Sequence, residues 1–286
     1  MQSLSNQKKG SLLALIGVLF ITPDSLLIRL SNIETWGLLF YRGFIPFIVV
    51  LFGLILFYKT NFFKALINIG YTGIFYAISF SVCNVTFIIS IQNTSVANTL
   101  IMVAMAPMLS AFLGAFFLKE TPNKETWFAI IITFLSVTFI FYDSVKLGNI
   151  VGDIFGFITA LGLAINANLA RFAKDRDLVP AAVIGKLGTA AFAFVFVKSF
   201  NLINTDIIIV PLMCVLCVAI PFVLVTIAPR YITAAEVNLF FLLEVIIGPI
   251  WVWMVVNERP STETIIGGII IIITIATHSF LAIKKT

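Results

Sequence analysis

The sequence predicts an all-α, polytopic membrane protein with ten transmembrane helices in two inverted five-helix repeats. Three observations predict this fold: an apolar composition, a series of long apolar runs and an internal repeat. Of the 286 residues, 60% are hydrophobic and only 11% are charged, whereas soluble domains average about 45–50% apolar and about 25% charged residues. A chain of this composition has too little polar surface to cover a soluble core. The composition therefore excludes an ordinary cytosolic enzyme, a disordered chain and a secreted disulfide scaffold.

Ten apolar runs are long enough to cross a bilayer, since a spanning helix needs roughly 20 apolar residues. The connections between the runs are short and hold most of the charged residues. Because each run is continuous and does not alternate with polar residues, the runs indicate helices. The predicted spans are 10–30, 35–57, 66–91, 96–118, 125–142, 150–171, 179–200, 207–229, 235–256 and 263–283.

The distribution of Lys and Arg predicts the orientation of these spans. An even number of spans puts both termini on one side, and that side holds twelve basic residues against four on the other. Basic residues concentrate on the cytoplasmic side of membrane proteins. We therefore expect a multi-pass protein of the cell inner membrane with both termini in the cytoplasm. The twelve are Lys8, Lys9, Lys59, Lys64, Lys119, Lys124, Arg171, Lys174, Arg176, Arg230, Lys284 and Lys285; the four are Arg29, Lys146, Lys198 and Arg259.

The two halves of the chain share sequence features at corresponding positions. Segments 119–126 and 257–264 follow the fourth and ninth spans, and both contain the pattern Glu-x-Pro-x-x-Glu-Thr. A glycine and an arginine flank both the first and the sixth span, namely Gly10 with Arg29 and Gly152 with Arg171.

These features predict a duplication, with one repeat at 1–146 and the other at 147–286. Each half then contains five spans. Because five is odd, the halves have opposite orientations in the membrane. Inverted repeats of this kind are typical of secondary transporters with a central site that opens alternately to each side.

Two stretches of the chain carry a family resemblance. The first comprises Thr-Ser-Val-Ala-Asn at 94–98, Ala106-Pro107 and Leu-Lys-Glu at 118–120; the second comprises Ile-Thr-Ala-Ala-Glu-Val at 232–237, Leu243-Glu244 and Asn-Glu-Arg-Pro at 257–260. Together they resemble the duplicated pattern of the drug/metabolite transporter superfamily, in its ten-helix EamA-like branch. The resemblance covers nearly the whole chain.

This resemblance implies a ten-helix inverted-repeat fold with cytoplasmic termini. Members of the family move amino acids, nucleosides, drugs and other small metabolites, many of them outward. The chain departs from the pattern after Glu244, where the usual proline is replaced by Val245 and Pro249 follows four residues later. Arg42, Glu236 and Glu244 stand where such residues are common in the family, so they identify the cargo poorly.

Ionisable residues inside spans are costly and usually functional. At about 1.5 Å of rise per residue, Asp24 and Arg42 are expected about 9 and about 10 Å below the outer boundary. Lys186 and Glu244 are expected about 11 and about 14 Å from the cytoplasmic boundary. In the repeat, Asn166 corresponds to Asp24 and Lys186 corresponds to Arg42.

Three hypotheses for these residues stay open. In the first, Asp24–Arg42 and Lys186–Glu244 are ion pairs that only neutralise each other. In the second, Arg42, Lys186 or both face a central cavity and bind a carboxylate or another anion. In the third, Asp24 or Glu244 exchanges a proton with substrate movement. Asp24, Arg42, Glu244 and Asn166 are then the candidate coupling or gating residues.

An aromatic and polar stripe runs along the third span. Tyr76, Phe80, Asn84 and Phe87 recur at helical spacing, which suits either a cavity wall for a small organic molecule or helix packing. Trp251 lies well inside the ninth span and has the same two interpretations. The single histidine, His278, is expected near the inner end of the tenth span as a packing residue or a proton relay.

Together these features predict a secondary-active transporter that moves a small, amino-acid-like or carboxylate-bearing metabolite outward by alternating access. An importer or exchanger, an organic-cation carrier and a channel stay open as alternatives. An enzyme is not expected, because the chain has no His-Glu-x-x-His or Gly-x-Ser-x-Gly motif. The expected partners are the substrate, the lipid bilayer and a proton as coupling ion, with the protein a monomer or homodimer. No cofactor, metal or nucleic acid is expected.

Overall fold

The computed structural model describes residues 2–59, 62–117, 124–173, 176–228, 231 and 234–285. Within these ranges the chain is helical apart from short connections, and it contains no strand. The helices are α1 (Gln2–Ile21), α2 (Asp24–Leu30), α3 (Thr35–Tyr58), α4 (Phe62–Ile67), α5 (Gly70–Asn93), α6 (Val96–Val103), α7 (Ala106–Phe117), α8 (Lys124–Leu147), α9 (Ile150–Phe172), α10 (Val179–Phe196), α11 (Asp206–Met213), a π-helical segment (Cys214–Ala219), α12 (Ile220–Ile227), α13 (Ala234–Val256) and α14 (Thr262–Lys285).

Seven stretches are long and apolar enough to cross a membrane, which identifies a polytopic membrane protein. They coincide with the predicted spans one to four and six to eight. Shorter apolar helices overlap the other three predicted spans, at Trp127–Ile140, Leu243–Val256 and Thr262–Thr274. The seven stretches are Lys8–Leu30, Thr35–Tyr58, Gly70–Asn93, Val96–Phe117, Ile150–Ala170, Val179–Phe196 and Asp206–Ile227.

Several predicted span boundaries differ from the helices, and two of the differences lie in helices of the candidate site. The third span was expected from residue 66, but α5 begins only at Gly70, whose positive φ of 58° separates it from α4. The seventh span was expected to end at residue 200, but α10 ends at Phe196 because Val197 adopts an extended backbone. Because α10 is shorter than predicted, Lys186 lies nearer to the C-terminal end of this helix than the sequence indicates.

The first span consists of two helices with a break at Thr22-Pro23. Pro23 has no backbone N–H, so the helical ladder of α1 cannot continue to the carbonyl of Leu19. The hydroxyl of Thr22 donates to that carbonyl instead, at 3.0 Å. The break makes Asp24 the first residue of α2, inside the bundle.

Proline also interrupts the fourth and eighth spans. The ring of Pro107 is incompatible with a helical carbonyl four residues earlier, at Val103, which is where α6 ends. Pro221 cannot donate to the carbonyl of Cys217, and the π-helical segment Cys214–Ala219 ends two residues before this proline. Such segments frequently accompany functional sites.

Helices of the two halves pack against each other throughout the bundle. The most extensive contacts join α5 to α9 and α10 to both α3 and α5. At the α3–α10 crossing, a Cβ atom on Gly43 would lie 2.6 Å from the Ala190 nitrogen and 2.7 Å from the Lys186 carbonyl oxygen. The backbones therefore touch at this point. This crossing fixes the relative positions of the neighbouring Arg42 and of Lys186.

Candidate functional site

Asp24 and Arg42 form a buried ion pair in the interior of the bundle. Arg42 Nη1 donates to Asp24 Oδ1 at 2.6 Å, and Arg42 Nη2 donates to Asp24 Oδ2 at 2.8 Å. Both residues are buried. This two-pronged geometry is the strong form of an Arg–carboxylate contact. The first predicted ion pair is thus present, and Arg42 already has an anionic partner.

Lys186 lies within electrostatic range of this pair but has a neutral partner. Its ammonium donates to the side-chain oxygen of Asn84 and lies 5.3 Å from the centroid of the Phe80 ring. Only 2% of the residue is exposed. Among the described residues, no carboxylate oxygen lies within 4.0 Å of this ammonium. Lys186 is therefore a buried cation without a paired anion.

The predicted Lys186–Glu244 ion pair is wrong. Glu244 lies on α13, whose main neighbours are α1, α2, α6 and α14, whereas Lys186 faces α5 from α10. The Glu244 carboxylate is buried within electrostatic range of Asp24 and Arg42, and no cation of the described chain lies within 4.0 Å of it. Both Lys186 and Glu244 thus flank the Asp24–Arg42 pair without a direct partner of opposite charge.

The α3 and α10 backbones meet beside the two cations, at the contact between Gly43 and the Lys186 carbonyl. This contact does not fix the depth of the charged groups, so the expected positions of Arg42 in the outer half of the membrane and Lys186 in the inner half stay predictions.

Asn166 lies on α9 and contacts α5. Its side-chain nitrogen lies 3.8 Å from the sulfur of Cys83, which in turn contacts the carbonyl of Thr159 at 3.8 Å. The residue is 5% exposed, and its Oδ1 atom has no hydrogen-bond partner in the described structure. A buried acceptor without a donor is uncommon in a folded protein.

The aromatic stripe of the third span lies on the interior side of α5. The rings of Tyr76 and Phe80 stack with centroids 6.0 Å apart, and Phe80 meets Phe222 of α12 at 5.6 Å. Asn84 continues the stripe and donates to the Phe80 carbonyl. Trp251 shares a flank of α13 with Glu244 but is 42% exposed. Its place in a cavity wall stays a prediction.

Comparison with known proteins adds the decisive observation. Residues 8–142 and residues 150–280 each match the EamA-like transporter family. The chain belongs to the EamA-like transporter family. One crystal structure, titled only as a protein, superposes with a TM-score of 0.66 at 14% identity over 97% of this chain and 98% of the other. That likeness shows the fold alone. No curated protein matches the chain.

This EamA-like transporter has a second polar cluster at the ends of several helices, which the sequence did not single out as a site. Arg29, at the end of α2, forms an ion pair with Glu258 at 2.9 Å. Arg29 also donates to the Thr94 carbonyl at 2.6 Å, and Glu258 accepts from the Val96 nitrogen at 2.7 Å. The shared Glu-x-Pro motif contains Glu258, but sequence alone does not reveal its partner.

Buried side chains extend this cluster beneath the ion pair. The carboxylate of Asp153 accepts from the Thr94 hydroxyl at 2.7 Å and from the Asn98 amide at 3.3 Å. The Thr264 hydroxyl donates to Asn98 at 2.6 Å. Asp153 was overlooked because it lies in the first turn of a predicted span, where a charge usually faces the interface. We call Arg29, Glu258, Thr94, Asn98, Asp153 and Thr264 the polar lock.

An apolar cavity lies at the opposite end of the bundle. It has a volume of about 430 Å³ and runs between the C-terminal half of α3, the start of α10 and α12. The Tyr58 hydroxyl donates to the Asp177 carboxylate at its edge. The EamA-like transporter thus has a hydrogen-bonded network at one end and a cavity at the other.

Several residues that the sequence singled out lie outside the described part of the chain. These are 118–123 and 232–233, together with the side chains of Arg171, Glu236 and His278. Within the described ranges, no group of three His, Cys, Asp or Glu side chains is placed to hold a metal ion. The cysteines Cys83, Cys214 and Cys217 are buried free thiols.

Proposed function

We propose that this EamA-family membrane transporter is a secondary-active carrier of small metabolites that bear a carboxylate, such as amino acids. The observation that carries the proposal is the buried Lys186 ammonium without an anionic partner. An unpaired charge inside a low-dielectric interior is costly. A ligand carboxylate at Lys186 supplies the missing anion, so binding there is favourable.

The surrounding residues have distinct roles in this proposal. Asp24 holds Arg42 in place, so Lys186 and not Arg42 is the first contact for the substrate carboxylate. Glu244 is available for a substrate ammonium group, or for a proton that couples to transport. Tyr76, Phe80 and Asn84 form the wall against which the substrate packs, and Trp251 extends it from α13.

Helix contacts support two inverted repeats of five spans, at 1–146 and 147–286. In such a fold, a contact between a helix of the first repeat and a helix of the second has a counterpart. The counterpart joins the equivalent helices with the two repeats exchanged. The packing of α5 on α9 corresponds to that of α12 on α1, and the packing of α7 on α9 to that of α13 on α1. The contact of α3 with the π-helical segment corresponds to that of α10 with α5. These contacts therefore favour ten membrane-spanning helices over the seven that length and apolar composition identify.

Alternating access follows from this arrangement. The polar lock joins Arg29 of the first repeat to Glu258 of the second, at the end that the basic residues assign to the outside. In this proposal the closed lock blocks the outer end, and the substrate enters from the cytoplasmic end, where the apolar cavity lies. Opening the lock while the cytoplasmic end closes would release the substrate outward, from an inner-membrane protein with cytoplasmic termini.

A ligand panel tests the proposal on the purified full-length protein. A ligand that binds the folded state raises the melting temperature, so we compare amino acids, organic anions, nucleosides and organic cations. We expect shifts from carboxylate-bearing ligands, and loss of those shifts in Lys186→Met. The matched control is Lys198→Met, which removes an exposed lysine outside the site. Shifts from organic cations alone, or shifts retained in Lys186→Met, would overturn the proposal.

A further inference from the structure

Two cavities adjoin at the end of the bundle opposite the polar lock. The apolar cavity of about 430 Å³ lies between α3, α10 and α12, and a second cavity of about 400 Å³ lies beside it. The second cavity is lined by polar side chains, of which Asn68 and Arg176 are exposed. Tyr58 and Asp177 line both cavities. The cavities therefore meet at this pair and form one site with a polar and an apolar part.

The carboxylate at the junction is engaged by the fold, whereas the neighbouring cation is not neutralised. Asp177 accepts from the Val179 nitrogen at 3.0 Å, at the start of α10, and from the Tyr58 hydroxyl. Arg176 donates to the Ile69 carbonyl at 3.2 Å, and no carboxylate oxygen of the described chain lies within 4.0 Å of its guanidinium. The polar part thus presents an exposed cation to a ligand.

Further basic residues lie at this end of the bundle. Lys59 follows α3 and Lys64 lies in α4, and both are exposed. Together with Arg176 they carry positive charge at the end that the positive-inside bias assigns to the cytoplasm. Basic pockets between membrane helices on the cytoplasmic side bind anionic lipid headgroups. Charge complementarity therefore favours an anionic headgroup in the polar part.

Exposed apolar side chains flank the polar part. Phe63 and Ile67 of α4 and Tyr71 at the start of α5 are all exposed, and Asn68 of the cavity wall lies between them in the chain. A cluster of exposed apolar side chains is typical of a surface that contacts the membrane, and Tyr is enriched at the membrane–water interface. Lipid headgroups at that interface are within reach of Arg176.

The apolar part opens toward the membrane. Val49, Gly53 and Phe57 of α3 line it, and all three are exposed. A Cβ atom on Gly53 would meet open space, so the cavity extends to the α3 backbone. On the other side, α12 contributes half-buried aliphatic side chains, among them Ile220 and Val223. An apolar cleft in this position suits a hydrocarbon chain that enters sideways from the bilayer.

We infer that the joined cavities bind one anionic phospholipid of the inner leaflet. Its phosphate contacts Arg176 in the polar part, and one acyl chain fills the apolar part beside Gly53. A soluble anion matches only the polar part, and a lipid without net charge matches only the apolar part. Because α3 lies in the first half of the chain and α12 in the second, the lipid contacts both halves. The inference goes beyond the proposed function and does not depend on the substrate.

Native mass spectrometry of the purified full-length protein measures this binding. The probes are dioleoylphosphatidylglycerol, dioleoylphosphatidylcholine and glycerol phosphate; the first two differ in net charge, and the third has no acyl chain. We expect one phosphatidylglycerol to bind about 5-fold more tightly than phosphatidylcholine, equivalent to about 1 kcal/mol for one basic residue near the membrane surface. Glycerol phosphate should bind at least about 10-fold more weakly than phosphatidylglycerol, because it leaves the apolar part empty.

Two substitutions separate the polar part from the apolar part. Arg176→Gln should remove the preference for phosphatidylglycerol and leave phosphatidylcholine binding unchanged. Gly53→Phe fills the apolar part and should weaken binding of both phospholipids at least about 10-fold. The controls are Arg259→Gln, at an exposed arginine of the opposite end, and Phe52→Leu, at an exposed position of α3 outside the cavity. Both should bind lipids like the wild type, and all four variants should keep the melting temperature of the lipid-free protein.

The opposite results overturn the inference. A preference for phosphatidylglycerol that survives in Arg176→Gln excludes the headgroup contact, and unchanged binding in Gly53→Phe excludes the acyl-chain site. Glycerol phosphate that binds as tightly as phosphatidylglycerol identifies a soluble anion as the ligand. Equal binding of both phospholipids to the wild type and every variant shows unspecific lipid contact. None of these results bears on the carboxylate carrier, which Lys186→Met tests separately.

Discussion

At the scale of single residues, the interior charges differ in what neutralises them. Asp24 and Arg42 form two short hydrogen bonds with each other. Lys186 instead donates to the amide oxygen of Asn84 and lies over the Phe80 ring. Sequence reasoning identified these residues, because charges inside apolar runs are conspicuous. It did not identify the partner of Lys186, since hydropathy along the chain does not show which helices are neighbours in the bundle.

The Asp24–Arg42 ion pair is expected to contribute to the stability of the fold. Removing one partner leaves the other as a buried, uncompensated charge, which costs about 3–5 kcal/mol, whereas removing both charges is far less costly. Asp24→Asn and Arg42→Gln should each lower the melting temperature strongly. The double variant should recover much of the loss, because the effects of residues in direct contact are not additive. Additive losses in a thermal-denaturation cycle would argue against this pair as a neutralising unit.

At the scale of elements, prolines set the shape of the spans. The breaks at Pro23 and Pro107 agree with the expectation that proline interrupts a helix. Pro46 and Pro249 instead lie within continuous helices. The π-helical segment before Pro221 was not predicted, because a proline in the sequence does not reveal how the preceding turn rearranges. The break before Asp24 matters most, since it presents the carboxylate to Arg42.

At the scale of elements, the ion pair of the polar lock is expected to limit access to the interior from outside. Glu258→Gln keeps an acceptor for the Val96 nitrogen but removes the charge that binds Arg29. We expect the lock to open more often, so that an external hydrophilic maleimide modifies the buried thiols Cys214 and Cys217 several-fold faster. The neighbouring exposed position provides the control, Arg259→Gln, which should react at the wild-type rate. An unchanged rate in Glu258→Gln would show that the ion pair does not limit access.

At the scale of the whole molecule, the two repeats share helix contacts but not charges. The family and the repeat could be read from the sequence, because each half carries its own motif and its own match. The close crossing of α3 and α10 beside Arg42 and Lys186 could not, since it depends on how the two helices pack. The two halves thus differ at corresponding positions: the first holds the Asp24–Arg42 ion pair, whereas Lys186 of the second contacts the neutral Asn84.

Counterflow in liposomes that contain the purified protein measures directly whether transport depends on Lys186. Liposomes are loaded with the carboxylate ligand that gives the largest thermal shift, and uptake of the same labelled ligand is followed. We expect saturable counterflow in the wild type and in Lys198→Met, and at least a 10-fold lower rate in Lys186→Met, which remains folded in the membrane. Counterflow at the wild-type rate in Lys186→Met would contradict the claim that this buried ammonium binds the transported carboxylate.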